Sequence, residues 1–195
     1  MWALVEDNEI TKIINKPKGL VIGDTRHSRK IFELWSPEER EAIGIYEVVF
    51  DDSNKKDETY YINTNQSFDY ADGEVTASYG SATPKELADV TDEDNNVTKG
   101  LKSQKKDIIK QQASGLLAPT DWYVLKAIDV EDYSVPSAVS TFRTNVRTRS
   151  NEMETAIDNA SDVDSLKTLY EYVNTGTEAN PVMERPLGEF PTLEI

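Results

Sequence analysis

Cysteine is absent from this 195-residue chain, and histidine occurs once, as His27. The first absence excludes disulfides and thiolate metal sites, and suits a reducing cytosol or a particle assembled inside one. The second excludes most zinc sites and every mechanism built on a pair of histidines. Positive charge is scarce as well. Lys and Arg number 21 against 36 Asp and Glu, a formal net charge of −15. A body so charged is repelled by phosphate backbones and anionic lipid, so neither nucleic acid nor a membrane is expected as a partner. Uninterrupted apolar runs reach only a few residues, far short of the roughly 20 that a membrane helix needs. Met1–Asp7 has neither a basic nor an apolar leader region, so no secretory signal is expected.

The motifs of catalysis are missing too. Neither G-x-G-x-x-G nor G-x-x-x-x-G-K-[ST] occurs, which leaves nucleotide chemistry without its phosphate cradle. There is no G-x-S-x-G elbow, and any serine nucleophile has only His27 for a base. His27 is expected in a polar loop between strands, Asp24–Arg29. Asp92-Glu93-Asp94-Asn95-Asn96-Val97 has the acidity of a calcium loop, but that loop needs glycine sixth and glutamate twelfth. Val97 and Ser103 stand there instead, and a solvated acidic loop is expected. Glu38 and Glu39 suit the first turn of a short helix through the macrodipole alone. No spacing singles out two carboxylates as an acid and base, so no catalytic residue, no cofactor and no metal is expected.

What is there divides near residue 81. Up to that point short runs rich in Val, Ile, Tyr and Phe alternate with turn signals. Trp2–Val5 and Ile10–Ile14 predict a hairpin, Ile45–Phe50 and Thr59–Ile62 two strands, and Phe68–Tyr70 with Val75–Tyr79 a second hairpin turning at Asp72-Gly73. One short helix is expected over Pro37–Ile43: Ser36 caps it, Glu39 completes a capping box and Gly44 stops it.

Beyond residue 81 the apolar period lengthens to about 3.6. Thr83-Pro84-Lys85-Glu86 resembles a second capping box, predicting a helix that ends within Thr91–Asn96. A helix over Thr98–Leu117 places Leu101, Ile108, Ile109, Gln112 and Leu116 on one face. Pro119 breaks it, and Thr120 or Asp121 caps a helix carrying Trp122, Leu125 and Ile128. Pro136 opens the longest helix, with Val139, Phe142, Val146, Met153 and Ile157 inward. Ser161 and Asp164 cap a last one, with Leu166, Leu169, Tyr170 and Val173 inward, stopped by Gly176. Lys102, Lys105, Lys106 and Lys110 form a basic stripe, expected as a solvated face or a patch for an acidic neighbour. From Thr177 onward come Pro181, Pro186 and Pro191, with Val182, Met183, Leu187, Phe190 and Leu193 spread among them, the pattern of an extended segment that is disordered or docks on another protein.

The expected fold is therefore α+β: a β-rich N-terminal domain over 1–81, a helical domain over 82–176 and an extended proline-containing arm over 177–195.

One segment resembles a known family. Leu116-Leu117-Ala118-Pro119-Thr120-Asp121-Trp122-Tyr123, Val135-Pro136-Ser137 and Phe142-Arg143-Thr144-Asn145-Val146-Arg147 look like a box found in tailed-bacteriophage tail proteins. It occurs there in tail-fibre assembly proteins and virion-associated proteins. Met1–Glu6 and Leu34–Tyr46 are similar to the start of small phage tail proteins. Physically the box builds a helical hairpin. Trp122 offers a clamp between helices, and Arg143 and Arg147 offer partners for the acidic loop Asp129–Asp132.

The resemblance implies a structural tail, baseplate or fibre-attachment protein. Its partners are other tail proteins (fibre, baseplate or adaptor subunits) and copies of itself. It is assembled in the host cytoplasm and retained in the virion tail. Its expected contacts are Trp122, Tyr123, Arg143 and Arg147, with Val182, Met183, Leu187 and Phe190 of the arm. Two alternatives stand beside it. One is a tail-fibre assembly chaperone that leaves before maturation. The other is a glycosidase or glycan-binding protein of the host surface, using two carboxylates or aromatics such as Tyr60, Tyr61 and Tyr70.

Overall fold

The computed structural model describes residues 1–194. Ile195, the end of the expected arm, lies outside the described residues. The chain forms two compact units, Met1–Thr83 and Pro84–Ile195. The division falls two residues later than the change in composition, and the arm belongs to the second unit. The architecture is α+β, strand-rich first and helical afterwards.

The first unit is built on a five-stranded sheet in the order β2-β1-β5-β8-β7. Strands β1 (Trp2–Glu6) and β2 (Glu9–Ile14) form the expected hairpin. Its turn, Asp7-Asn8, has both residues at positive φ, which Asp and Asn tolerate better than other side chains. β5 (Ile45–Asp51) pairs antiparallel with β1 and parallel with β8 (Glu74–Ser78). β7 (Ser67–Ala71) completes the second expected hairpin through Asp72 (φ 52°) and Gly73 (φ 82°). The two edge strands, β2 and β7, approach one another, so the sheet curls into half a barrel.

Both faces of this sheet are apolar. The concave one gathers Ala3, Val5, Val48, Val75 and Ala77, with Tyr46, Phe68 and Tyr70 around them. The opposite face gathers Leu4, Ile14 and Ile45. It is covered by elements the sequence pattern did not reveal: the hairpin β3 (Leu20–Ile22) and β4 (Thr25–His27), and the one-turn helix α1 (Ile31–Leu34) bringing Ile31 and Phe32. His27 is thus a half-buried strand residue with its ring edge-on to Trp35, and not part of a polar loop. The helix α2 (Pro37–Glu41) carries the expected capping box. Ser36 accepts from the Glu39 amide, and the Glu39 carboxylate accepts from the Ser36 amide. Of the expected strand Thr59–Ile62, only β6 (Tyr61–Ile62) is extended.

In the second unit no helix follows Thr83-Pro84. The strand β9 (Thr83–Pro84) leads to an exposed hairpin, β10 (Val90–Thr91) with β11 (Val97–Thr98), turned by Asp92, whose carboxylate accepts from the amides of Asp94 and Asn96. The reason lies in the next helix, α3 (Leu101–Leu117). Its first amides need acceptors. The carbonyls of Glu86 and Leu87 accept from Leu101 and Lys102, and the Asp89 carboxylate accepts from Gly100. A Cβ on Gly100 would lie 2.2 Å from the Ala88 oxygen, so only glycine lets this loop close. With its carbonyls turned to the α3 amides, the segment 85–89 follows a non-helical path.

α3 packs antiparallel on the longest helix, α5 (Ser137–Asn159). All five expected inward residues of α5, Val139, Phe142, Val146, Met153 and Ile157, are buried. On α3 the buried set is Leu101, Ile109 and Ala113, whereas Ile108 and Gln112 face solvent. The helix α6 (Val163–Thr168) is capped by Asp162 and not by Ser161 or Asp164: Asp162 and Ser165 exchange the two capping-box bonds. Val173 is exposed. The chain after α6 forms a hairpin, β12 (Val173–Asn174) with β13 (Met183–Glu184), so Gly176 belongs to a hairpin loop and ends no helix. No helix among the described residues is long and apolar enough to cross a membrane.

Candidate interaction surface

The box Leu116–Tyr123 makes a corner. α3 ends at Leu117, Pro119 lies in a single 3-10 turn (Ala118–Thr120), and α4 (Asp121–Asp129) starts at once. The last carbonyls of α3 carry the negative end of its dipole and lack helical donors. Thr120 turns its hydroxyl back onto the Leu117 oxygen at 2.7 Å, instead of capping α4. Arg143 of α5 completes the joint: its Nη1 donates to the Leu117 oxygen (3.1 Å), to the Thr120 hydroxyl and to the Asp121 carboxylate (2.8 Å). The Arg143 side chain is 12% exposed and Thr120 2%. One largely enclosed cation therefore ties the end of α3 to the start of α4.

The acidic loop is not its partner. α4 rises about 12 Å from Asp121 to Asp129, which carries Asp129, Glu131 and Asp132 away from the corner that Arg143 occupies. Arg147, one turn further along α5, donates only to the Arg143 carbonyl (3.2 Å) and makes no ion pair among the described residues. Nor do Asp129, Glu131 and Asp132.

From this fixed base α4 projects without burying any of its residues. Trp122 clamps nothing. It is 49% exposed and stacks on its neighbour Tyr123, ring centroids 3.7 Å apart. Leu125 (60%) and Ile128 (76%) follow at helical spacing and are more exposed still. On a helical wheel the three cover an arc of about 120°. Lys126 lies over the Tyr133 ring, its ammonium 4.3 Å from the centroid.

The arm behaves otherwise. It is docked on its own unit. Leu187 is 2% exposed and its amide donates to the Leu169 carbonyl. Phe190 and Leu193 pack against Ala113, Phe142 and Val146. Arg149 of α5 holds the segment, donating to the carbonyls of Leu187 (2.7 Å) and Glu189 (3.2 Å). Gly188 sits beneath that guanidinium at φ +72°, where a Cβ would overlap Arg149. Leu187 and Phe190 are therefore used within the chain, whereas Val182 and Met183 are about half exposed on the hairpin with Tyr172 and Val173. The Tyr172 phenol is pushed above its ordinary pKa by the Glu189 carboxylate that accepts its hydrogen bond.

The lysine stripe is partly solvated, with Lys110 exposed, and its ammonium groups have partners within the unit. Lys102 donates to the Asp158 carbonyl, Lys106 pairs with the Asp158 carboxylate at 2.7 Å and Lys110 with Glu154 at 3.4 Å, all on α5; Lys105 lies over the Tyr170 ring. Asp158 holds the Lys106 ammonium above the usual lysine range. The tyrosines considered for sugar are not platforms: Tyr60 and Tyr61 are 5% and 4% exposed, and Tyr70 points into the half-barrel, where its hydroxyl donates to Tyr46. Shallow grooves of about 340 and 300 Å³ run along α5 beside Pro191. Short polar side chains such as Thr141, Asn145 and Thr148 line them. No three His, Asp or Glu side chains among the described residues are placed to hold a metal ion.

Sequence reasoning named Trp122 and Arg143 but misassigned what they touch, and it missed the anchoring role of Arg149. The signal for Arg149 was Gly188, a glycine between two prolines of the arm. No protein-family model, curated protein or solved structure matches the chain.

Proposed function

We propose that this chain is a non-enzymatic structural component of a bacteriophage tail, a tail, baseplate or fibre-attachment protein. It works by contact with other tail proteins and with copies of itself. It is assembled in the host bacterial cytoplasm and stays in the virion. The observation that carries the reading is α4, a nine-residue helix with no buried residue. It stands on the Thr-Asp-Trp-Tyr corner, the segment that resembles tail proteins. Large apolar side chains held outward on a rigid base exclude water only when a second protein covers them. The exposed hairpin around Val182 and Met183 adds a second surface of the same chemistry.

Mass spectrometry of purified particles of the phage that encodes the chain is the test. Peptides of this chain are expected in washed virions, in constant ratio to other tail proteins. Complete absence from virions, with abundance in the lysate, would overturn the structural reading in favour of an assembly chaperone. Such a chaperone raises the solubility of a co-expressed fibre protein and then dissociates.

A further inference from the structure

Unmatched charges of opposite sign stand at the two ends of α4. At its start, beside the Arg143–Asp121 pair, lies Arg147, which has no carboxylate partner among the described residues. At its end lie Asp129, Glu131 and Asp132, exposed and likewise without an ion pair among the described residues. Acidic groups at a helix C-terminus oppose the macrodipole, and the one cation in the last turn, Lys126, is turned to Tyr133. Between the two ends runs the uncovered stripe. Leu125 is at its centre, with Trp122 and Ile128 three residues to either side.

This pattern is complementary to itself. We infer that α4 is a two-fold contact with a second copy of this chain. The two α4 helices lie antiparallel, Leu125 meets the second copy's Leu125, and Trp122 meets its Ile128. The carboxylates of Asp129, Glu131 and Asp132 meet its Arg147. An isologous contact uses the same patch twice, so each charge pair forms twice, and the helix dipoles oppose favourably. The inference rests on the contact reading above and names the partner at that site.

The size of the stripe sets the strength. Trp122, Leu125 and Ile128 leave roughly 300–400 Å² uncovered per copy, about half of what each side of a standard interface buries. Each copy also carries a charge of −15, whose long-range repulsion is screened beyond about 8 Å at physiological salt. The pair is therefore weak in solution, dissociating at roughly tens to hundreds of micromolar. It becomes firm where a particle holds copies side by side.

Sedimentation velocity of the full chain, from about 5 to about 500 µM at physiological ionic strength, reads this directly. A monomer–dimer equilibrium is expected. Leu125→Glu should weaken it at least tenfold, with the melting temperature unchanged because the side chain is 60% exposed. Arg147→Glu should weaken it several-fold. Adding Glu131→Arg and Asp132→Arg to that same chain should restore it, an outcome that general damage to the fold does not produce. A monomer throughout the range overturns the inference, as does a dimer indifferent to Leu125→Glu or unrescued by the charge exchange. Either failure leaves the virion test above untouched, so the two readings fail separately.

Discussion

The two units enclose apolar surface to different degrees. The half-barrel packs it on both faces of its sheet, leaving Val21, Leu34, Val49, Phe50 and Ile62 exposed. Its sheet has an apolar cluster on each face, and the second cluster is covered by β3, β4 and α1. The helical unit leaves much of it outside. α3 and α5 bury one seam between them, while α4 and the β12–β13 hairpin hold Trp122, Leu125, Ile128, Tyr172 and Met183 in solvent. Composition does not explain the contrast, since both units have enough apolar residues for a core. The corner at Thr120 directs α4 outward at a defined point, whereas the cap at Asp162 starts a helix that buries Val163 and Leu166. The lesson is that the large apolar side chains left in solvent are concentrated in the second unit, on α4 and the β12–β13 hairpin.

Five substitutions break or sharpen that comparison. The largest effects belong to enclosed side chains. Ile45→Ala in the half-barrel and Ile157→Ala on α5, both 0% exposed, should each cost about 2–5 kcal/mol, measured by urea denaturation. Arg143→Ala comes next. It strips the Leu117 carbonyl and Thr120 of a buried donor and should cost about 2 kcal/mol. Hydrogen exchange should quicken over 117–125 while the β1 and β5 amides stay unchanged.

Asp162 offers a pH test. The Ser165 amide and then its hydroxyl hold the Asp162 carboxyl below its ordinary value of 3.8. A carboxylate depressed on folding stabilises above the unfolded value, and that stabilisation disappears as pH falls through the lower folded value. The difference in melting temperature between the parent and Asp162→Ala should therefore be clear at about pH 7 and shrink as the pH falls below 3.8. The smallest effect belongs to Ile128→Ala, which should leave the stability of the dilute monomer within about 0.5 kcal/mol, because this side chain is 76% exposed.

Local rules were readable where the signal and the structure serve one another. The Asp72-Gly73 hairpin, the Ser36–Glu39 box and the inward face of α5 are set by residues close in sequence, and the structure has them as expected. Failures came where distant groups compete for the same backbone. Thr83-Pro84-Lys85-Glu86 has the residues of a helix start, but the α3 amides take the carbonyls of Glu86 and Leu87. Arg143 is charged and near an acidic loop in sequence, yet the unsatisfied end of α3 claims it first. The arm has the prolines of an extended segment, and it is anchored by Arg149, some 40 residues earlier. Burial of Leu187 and exposure of Ile128 follow from tertiary packing, which the hydrophobic pattern of either segment does not encode.

The proposed role requires that α4 be covered by protein in the assembled tail. Hydroxyl-radical footprinting of Trp122 reads it directly, because that indole is half exposed in the free chain. Labelling of Trp122 is expected to fall several-fold in intact tails relative to the dilute chain. Labelling at the same rate in both would contradict the account.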